Sequence, residues 1–259
     1  MKHIKPLISV NPEGWEEHAR KLLERKPEEG RNGGEGTAEF GLVDSGDFWK
    51  VSGVSYRNGI YTVDLSKTLL EQGASKTQDQ WASYAESAMQ GTGFYTPNFM
   101  LQHALFSVLH ANRESSFRDE IEQARTFIDE NAKARWLATL TRIKYNPQGT
   151  IDEVVHDYKT NSVFSLDEDF VGPDEWVEQT QNTKPYKALL GTDNKDGIVE
   201  VYSWLNGVKP YLFRVNSDPD STIERVARFG ANSGRAGLSC YRDPSDSDAS
   251  LGVRAVRRQ

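Results

Sequence analysis

The chain has 259 residues, 37% of them hydrophobic, with 31 Lys and Arg against 38 Asp and Glu for a formal net charge of −7. That length can bury a full core in one compact domain, with or without an appendage, and an acidic surface repels both nucleic acid and anionic lipid unless a local basic face intervenes. The single Cys excludes an internal disulfide and leaves the redox compartment open.

At the N-terminus, MKHIKPLISVNPEGW has no long apolar run before the acidic stretch at Glu13 to Glu17, so no signal peptide is expected. No segment reaches the roughly 18 apolar residues of a membrane span, so no membrane insertion is expected either. Asn11-Pro12-Glu13 reads as a helix start, because Asn caps free N–H groups, Pro tolerates the first turn and the acid suits the helix dipole. Trp15, Ala19, Leu22 and Leu23 then share one face, giving a helix to about Arg25. Residues 26–37, KPEEGRNGGEGT, are too polar and Gly-rich to bury surface and read as a flexible connection. Residues 1–37 are thus expected to form an appendage to a main domain over 38–259.

Ala38 to Val43 and Phe48 to Ser55 are strand-like, and Arg57-Asn58-Gly59 carries the Asn-Gly signal of a tight hairpin leading to Ile60 to Leu65. Gln78 to Met89 has Trp81, Tyr84 and Ala85 at helical spacing. Thr96-Pro97 starts a second helix through Met100, Leu101, Ala104, Leu105, Val108 and Leu109, and a third is expected from Ser116 to about Leu140. Few charges fall between Tyr95 and His110, which makes the second helix the most buried. Thr141 to Tyr145 alternates as a strand before the turn Asn146 to Gly149, and Val154-Val155 and Val163 to Leu166 are short strand candidates. Pro173 to Thr180, Lys184 to Leu190 and Lys195 to Leu205 read as helical, and Tyr211 to Val215 returns to a strand.

Few residues suggest chemistry. His103 and His110 lie seven apart on one helix, whereas metal helices place His at i and i+4, so no metal site is expected there. His156 and Asp157 are adjacent, and neighbours on a strand point apart, which disfavours an acid/base dyad. Cys240 reads as a small core residue. Asp243, Asp246 and Asp248 could offer hard oxygens to Ca²⁺, but a loop holding Pro244 does not force them to converge, and solvated turn carboxylates are the simpler reading. Glycines at 33–34 and 230–237 lack the strand, helix and Lys context of a phosphate loop. Trp204 and Tyr211 suit either a pocket wall or the core. No catalytic residue, metal or cofactor is expected.

The informative stretch runs from Arg225 to Arg254. Phe229, Ala231, Ala236, Leu238, Cys240, Ala249, Leu251 and Val253 recur largely with period two, which in an extended chain sends them to one side. Gly230, Asn232, Gly234, Ser239, Tyr241, Asp243, Asp246, Asp248 and Ser250 then face outward. Pro244 breaks the ladder, so Arg242 to Asp246 should be a loop. An ordinary half-buried hairpin explains the alternation equally well. Composition adds a second signal: Lys, Glu, Gln, Trp and Met fill 52 of the 225 positions up to Arg225, yet none occurs from Val226 to Arg258. Those five types are the ones that a codon of the form any base, any base, pyrimidine cannot encode. A polar stretch normally uses Lys, Glu and Gln to solvate itself.

RVARFG, RAGLSC, Pro244 and LGVRAV together resemble the C-terminal variable region of proteins diversified by retroelements, in the subtype related to formylglycine-generating enzymes. Regions of that kind carry an R-G-G-S-W-like opening, an R-x-A segment, a proline and a terminal G-F-R or G-V-R. This chain departs at the opening, where Phe229-Gly230-Ala231 replaces the glycine pair, and it lacks the Trp. The resemblance covers about the last thirty residues. It implies an α+β, C-type-lectin-like fold with additional helices, a variable region at about 226–254, and pairing of an N-terminal strand with Leu251 to Val256. It also implies a non-enzymatic, receptor- or adhesin-type protein whose nine outward residues bind a macromolecular ligand, such as a protein on a cell or host surface. Tyr241 would be its anchor, and the three Asp would favour a basic or hydrogen-bond-donating partner. The alternatives are an enzyme of the formylglycine-generating-like fold and a structural virion or surface component. The former normally uses a pair of cysteines, and this chain has one.

Overall fold

The computed structural model describes residues 39–91 and 93–257; the expected helix from Asn11 to about Arg25 and the connection at 26–37 lie outside them. β1 (Gly41–Asp44), β2 (Phe48–Tyr56) and β3 (Gly59–Ser66) form an antiparallel meander. The hairpin between β2 and β3 turns through Arg57-Asn58 alone, with Arg57 at φ 52, and Gly59 opens the next strand opposite Tyr56. Trp49, Val51, Val54, Val63 and Leu65 supply the buried side of this sheet.

Local capping fixes the next two helices. α1 (Gln78–Met89) opens with a capping box: Thr77 Oγ1 accepts from the Gln80 N–H, and Gln80 Oε1 accepts from the Thr77 N–H at 2.9 Å. α2 (Phe99–Ala111) is capped by Asn98, whose side chain accepts from the Leu101 N–H at 2.8 Å. α3 (Arg118–Ala134) stops at Ala134, short of the Leu140 expected from periodicity. The chain instead enters β4 (Leu137–Tyr145), where Leu137, Leu140, Ile143 and Tyr145 are wholly buried. A central strand covered on both faces shows no alternation, so apolar runs of this kind read equally as helix until pairing decides.

After β4 come β5 (Glu153–His156), β6 (Phe164–Asp167) and β7 (Glu175–Trp176). The helix expected from Pro173 to Thr180 is not formed. Glu175 and Trp176 pair with Leu212 and Tyr211 at a sheet edge, followed only by a 3-10 turn at Val177–Gln179. α4 (Lys184–Leu190) and α5 (Lys195–Asn206) lead to β8 (Pro210–Phe213), β9 (Ile223–Ala231), β10 (Ala236–Arg242) and β11 (Val253–Arg257).

The strands make two sheets, a four-stranded one in the order β1-β2-β3-β11 and a seven-stranded one in the order β6-β5-β4-β9-β10-β8-β7, so the fold class is α+β. α2 touches β2 of the first sheet and β4 of the second, while α3 touches β1 and β9, so these helices fill the space between the sheets. β11 lies antiparallel to β3, with Val253 opposite Leu65. Leu251 is buried but precedes the strand, in a segment that crosses from one sheet to the other. That crossing is stitched on several sides. The Ala138 N–H donates to Ala249 O, the Leu70 N–H to Ser250 O, the Ser66 N–H to Gly252 O and Trp81 Nε1–H to Asp248 O. Among the described residues no helix is long and apolar enough to cross a membrane.

Candidate ligand-binding surface

Strand alternation divides the seven-stranded sheet into two faces. Phe229 turns toward the helices, its ring 5.8 Å from Phe106 of α2 and 5.3 Å from Tyr202 of α5. Its neighbours Arg228 and Gly230 therefore belong to the opposite face. Register aligns a row of residues across that face. Leu137 pairs with Phe229, which sets Trp136 opposite Gly230. Gly230 pairs with Gly237, Gly237 with Tyr211, and Tyr211 with Trp176. A Cβ on Gly230 would stand 2.7 Å from Cε3 of Trp136, and one on Gly237 would stand 2.7 Å from its Cη2. The indole thus lies across two adjacent strands, and the two glycines are what let it approach.

Further rings continue the band: Trp176 to Tyr211 at 5.0 Å between centroids, Tyr211 to Phe213 at 4.8 Å and Phe213 to Tyr241 at 5.9 Å. Two arginines lie on it. The Arg228 guanidinium sits 4.3 Å from the Trp136 ring, and that of Arg235 lies 4.7 Å from Tyr211 and 5.1 Å from Phe213. Arg228 is also held by Asp248, its Nη1 donating to both carboxylate oxygens at 3.0 and 3.1 Å. Burial pulls the Arg228 pKa down, opposed by the Asp248 charge. Ser239 Oγ and Arg228 Nε, on residues paired across β9 and β10, are buried without a hydrogen-bond partner among the described residues.

The nine residues expected to face outward divide three ways. Asn232, Gly234, Tyr241 and Asp243 are exposed, Tyr241 at 45%. Asp246 and Asp248 are half-buried. Gly230, Ser239 and Ser250 are buried, which corrects the expectation for these three. Gly230 lies under Trp136, and Ser239 is flanked across the sheet by Arg228 and Phe213. Ser250 belongs to the crossing between the sheets, where neither side of the chain meets solvent, and its Oγ donates to Ala138 O at 3.3 Å. Of the eight residues expected to face inward, all are buried but Ala231, which is half-buried. Asn232 has a structural duty, since its Oδ1 accepts from the N–H groups of Gly234 and Arg235 and shapes the β9–β10 turn.

The three aspartates do not converge. Asp243 accepts from the Ser245 N–H and Oγ–H, which hold its pKa below the usual carboxylate value. Asp246 forms an ion pair with Arg242 at 2.6 Å, and Asp248 pairs with Arg228. Two of the three are thus already paired within the chain, and Asp243 is exposed. The cations without an acidic partner among the described residues include Arg135 and Arg235, and both border a pocket of about 250 Å³ beside Trp136.

Elsewhere the polar groups are internal. His156 is fully buried, with Nδ1 3.0 Å from Thr141 Oγ1 and Nε2 2.8 Å from Ala188 O, and burial brings its pKa down to about 4. Asp157 accepts from Asn98 Nδ2–H at 2.6 Å and from the Tyr56 hydroxyl at 3.5 Å, and burial pushes its pKa up to about 6. Cys240 is fully buried and its thiol pKa is pushed up by burial. His103 stacks on Tyr202 and is brought down to about 4 by burial, while His110 lies against Trp204. Among the described residues no group of three His, Cys, Asp or Glu could hold a metal ion.

Tyr211, flagged in the sequence, lies in the aromatic band, whereas Trp204 does not. Sequence reasoning missed Trp136, Trp176, Phe213, Arg228 and Arg235. The available signal was Trp136 directly after the charged end of a helix and directly before an apolar run, where a large ring has no local partner. Comparison with protein-family models, with curated proteins and with solved structures finds no match to this chain.

Proposed function

We propose that this chain is a non-enzymatic ligand-binding protein of C-type-lectin-like fold. Its C-terminal surface is a receptor diversified by a retroelement and directed at a protein on a cell or host surface. The observation that carries the reading is the split within one segment of restricted composition. Phe229, Ala236, Leu238, Cys240, Ala249, Leu251 and Val253 anchor a core, while Tyr241, Asp243, Gly234 and Asp246 remain accessible beside a band of aromatic rings. Aromatic contact area with small polar companions is the composition binding surfaces favour. Pairing of β11 with β3, which brings the end of the chain back to its first sheet, supports the fold assignment. The burial of Cys240 supports a binding role over thiol chemistry, since a buried, protonated thiol is a poor nucleophile.

The test is a library built with the restricted codon set at Gly234, Tyr241, Asp243 and Asp246, with thermal melting read for each member. Substitutions at accessible sites change stability by about ±0.5 kcal/mol, so most members are expected to fold and to differ in partner binding. A matched library at Gly230, Ser239, Asp248 and Ser250 is expected to fail often, because those residues touch buried neighbours. Equal failure of both libraries would defeat the reading.

A further inference from the structure

Building on the receptor reading, we propose that the pocket beside Trp136 binds carboxylate side chains of an acidic segment on the partner protein. Its floor is apolar, made by the Trp136 indole, the Phe213 ring and the backbone of Gly230 and Gly237. Its rim is cationic, and among the described residues no Asp or Glu lines it. Lys133 on that rim is already paired with Asp129 at 2.7 Å. Among the described residues Arg135 and Arg235 have no acidic partner, and the Arg135 guanidinium donates only a long hydrogen bond, 3.4 Å, to Gly73 O.

Two arginines lining one pocket beside apolar rings suit a carboxylate better than a neutral group. The planar fork of Arg matches both carboxylate oxygens, and charge-assisted bonds of this type are roughly twice as strong as neutral ones. Arg235 is held in place by Tyr211 and Phe213, so little rotamer freedom is lost when it engages. The methylenes of a Glu would rest on the Trp136 and Phe213 rings. Against a chain of net charge −7, this pocket is a local exception that an acidic segment can find. Nucleic acid fits less well, because its extended phosphate backbone would run along a surface that also presents the exposed Asp243.

The experiment titrates the full chain with a short peptide carrying three Glu spaced by Gly and Leu, followed by NMR of the Arg Nε–H and Trp indole N–H resonances. Shifts at Arg135, Arg235 and Trp136 are expected, with binding weakened at high salt and absent for the same peptide with Gln in place of Glu. The double variant Arg135→Gln, Arg235→Gln should keep its melting temperature and lose at least tenfold in affinity, while Arg235→Lys should lose less. An equal response to the Gln peptide, or shifts confined to other arginines, would overturn the assignment. So would a single-stranded oligonucleotide that binds as tightly as the Glu peptide. The two readings fail separately. If the accessible-site library folds but the Glu peptide does not bind, the receptor stands and the carboxylate assignment falls. If the peptide binds but the library does not fold, the pocket stands and the receptor falls.

Discussion

Phe229 and Gly230 are neighbours in β9 and meet opposite surroundings. Phe229 is enclosed by rings from two helices, whereas Gly230 is covered by one indole that is itself only half-buried. The contrast continues along β10, where Leu238 and Cys240 are fully buried and Tyr241 is exposed. On the helix side close packing leaves no slack, so each atom removed is felt. On the other side the neighbours are side chains that can move. The comparison also shows that facing outward is not the same as being free: Ser239 and Gly230 lie on the outer face but beneath other residues, and only the rim of that face is open.

The sharpest way to break the contrast is on the helix side. Leu238→Ala should destabilise the chain by about 2–5 kcal/mol in denaturant melts, through lost transfer energy and a residual cavity. A loss of about 0.5 kcal/mol or less, the range of exposed sites, would mean that this side is not the core. A second test there concerns charge. Asp157 is raised to about 6 by burial, against about 3.9 in an unfolded chain. Between those values the unfolded state is ionised while the folded state holds its proton, so this group's contribution is complete below pH 4 and is lost as pH rises through 6. His156 and His103, lowered to about 4, work the other way: their contribution is complete above about pH 6.5 and is lost as pH falls through 4. Asp157→Asn removes the first effect and leaves the second, so the variant should lose stability toward acid more steeply than the native chain. The difference between the two should change by up to about 3 kcal/mol from pH 7 to pH 4. A constant difference across that range would show that Asp157 does not titrate there.

Local signals made much of this fold legible in the sequence. The helical spacing of Trp81, Tyr84 and Ala85 and the Arg57-Asn58-Gly59 turn act within a few residues and need nothing else to be read. Residues 137–140 and 175–176 differ from the sequence expectation because their state depends on partners 35 to 92 positions away: Leu137 meets Phe229 and Trp176 meets Tyr211, pairings that no local pattern reports. The candidate site was half legible for the same reason. Period two found the inward row, since burial on one side leaves an alternation. It could not find what lies above the outward row: Trp136 over Gly230, Arg228 against Asp248, and the crossing segment that encloses Ser250.

The smallest expected effect is also the one that tests how the outer face is built. Gly230→Ala adds a single methyl, which on a free surface strand would be neutral or slightly stabilising because Gly loses more backbone entropy on folding. Here that methyl would meet Trp136 Cε3 at 2.7 Å and Cδ2 at 2.9 Å, closer than carbon atoms can sit, so the indole must move. Overpacking of this kind costs about 1–3 kcal/mol when the neighbour is fixed. Trp136 is half-buried and can tilt outward, at the expense of its contacts with Gly237 and Arg228, so a value near the low end is expected. The same change made with Trp136→Ala present should be nearly free, and the difference between the two backgrounds is the coupling energy of the pair. If Gly230→Ala costs the same with and without the indole, the glycine is required by backbone geometry and the account of this face is wrong. If the cost disappears, Trp136 is the element through which a residue at 230 reshapes the neighbouring pocket without touching a ligand.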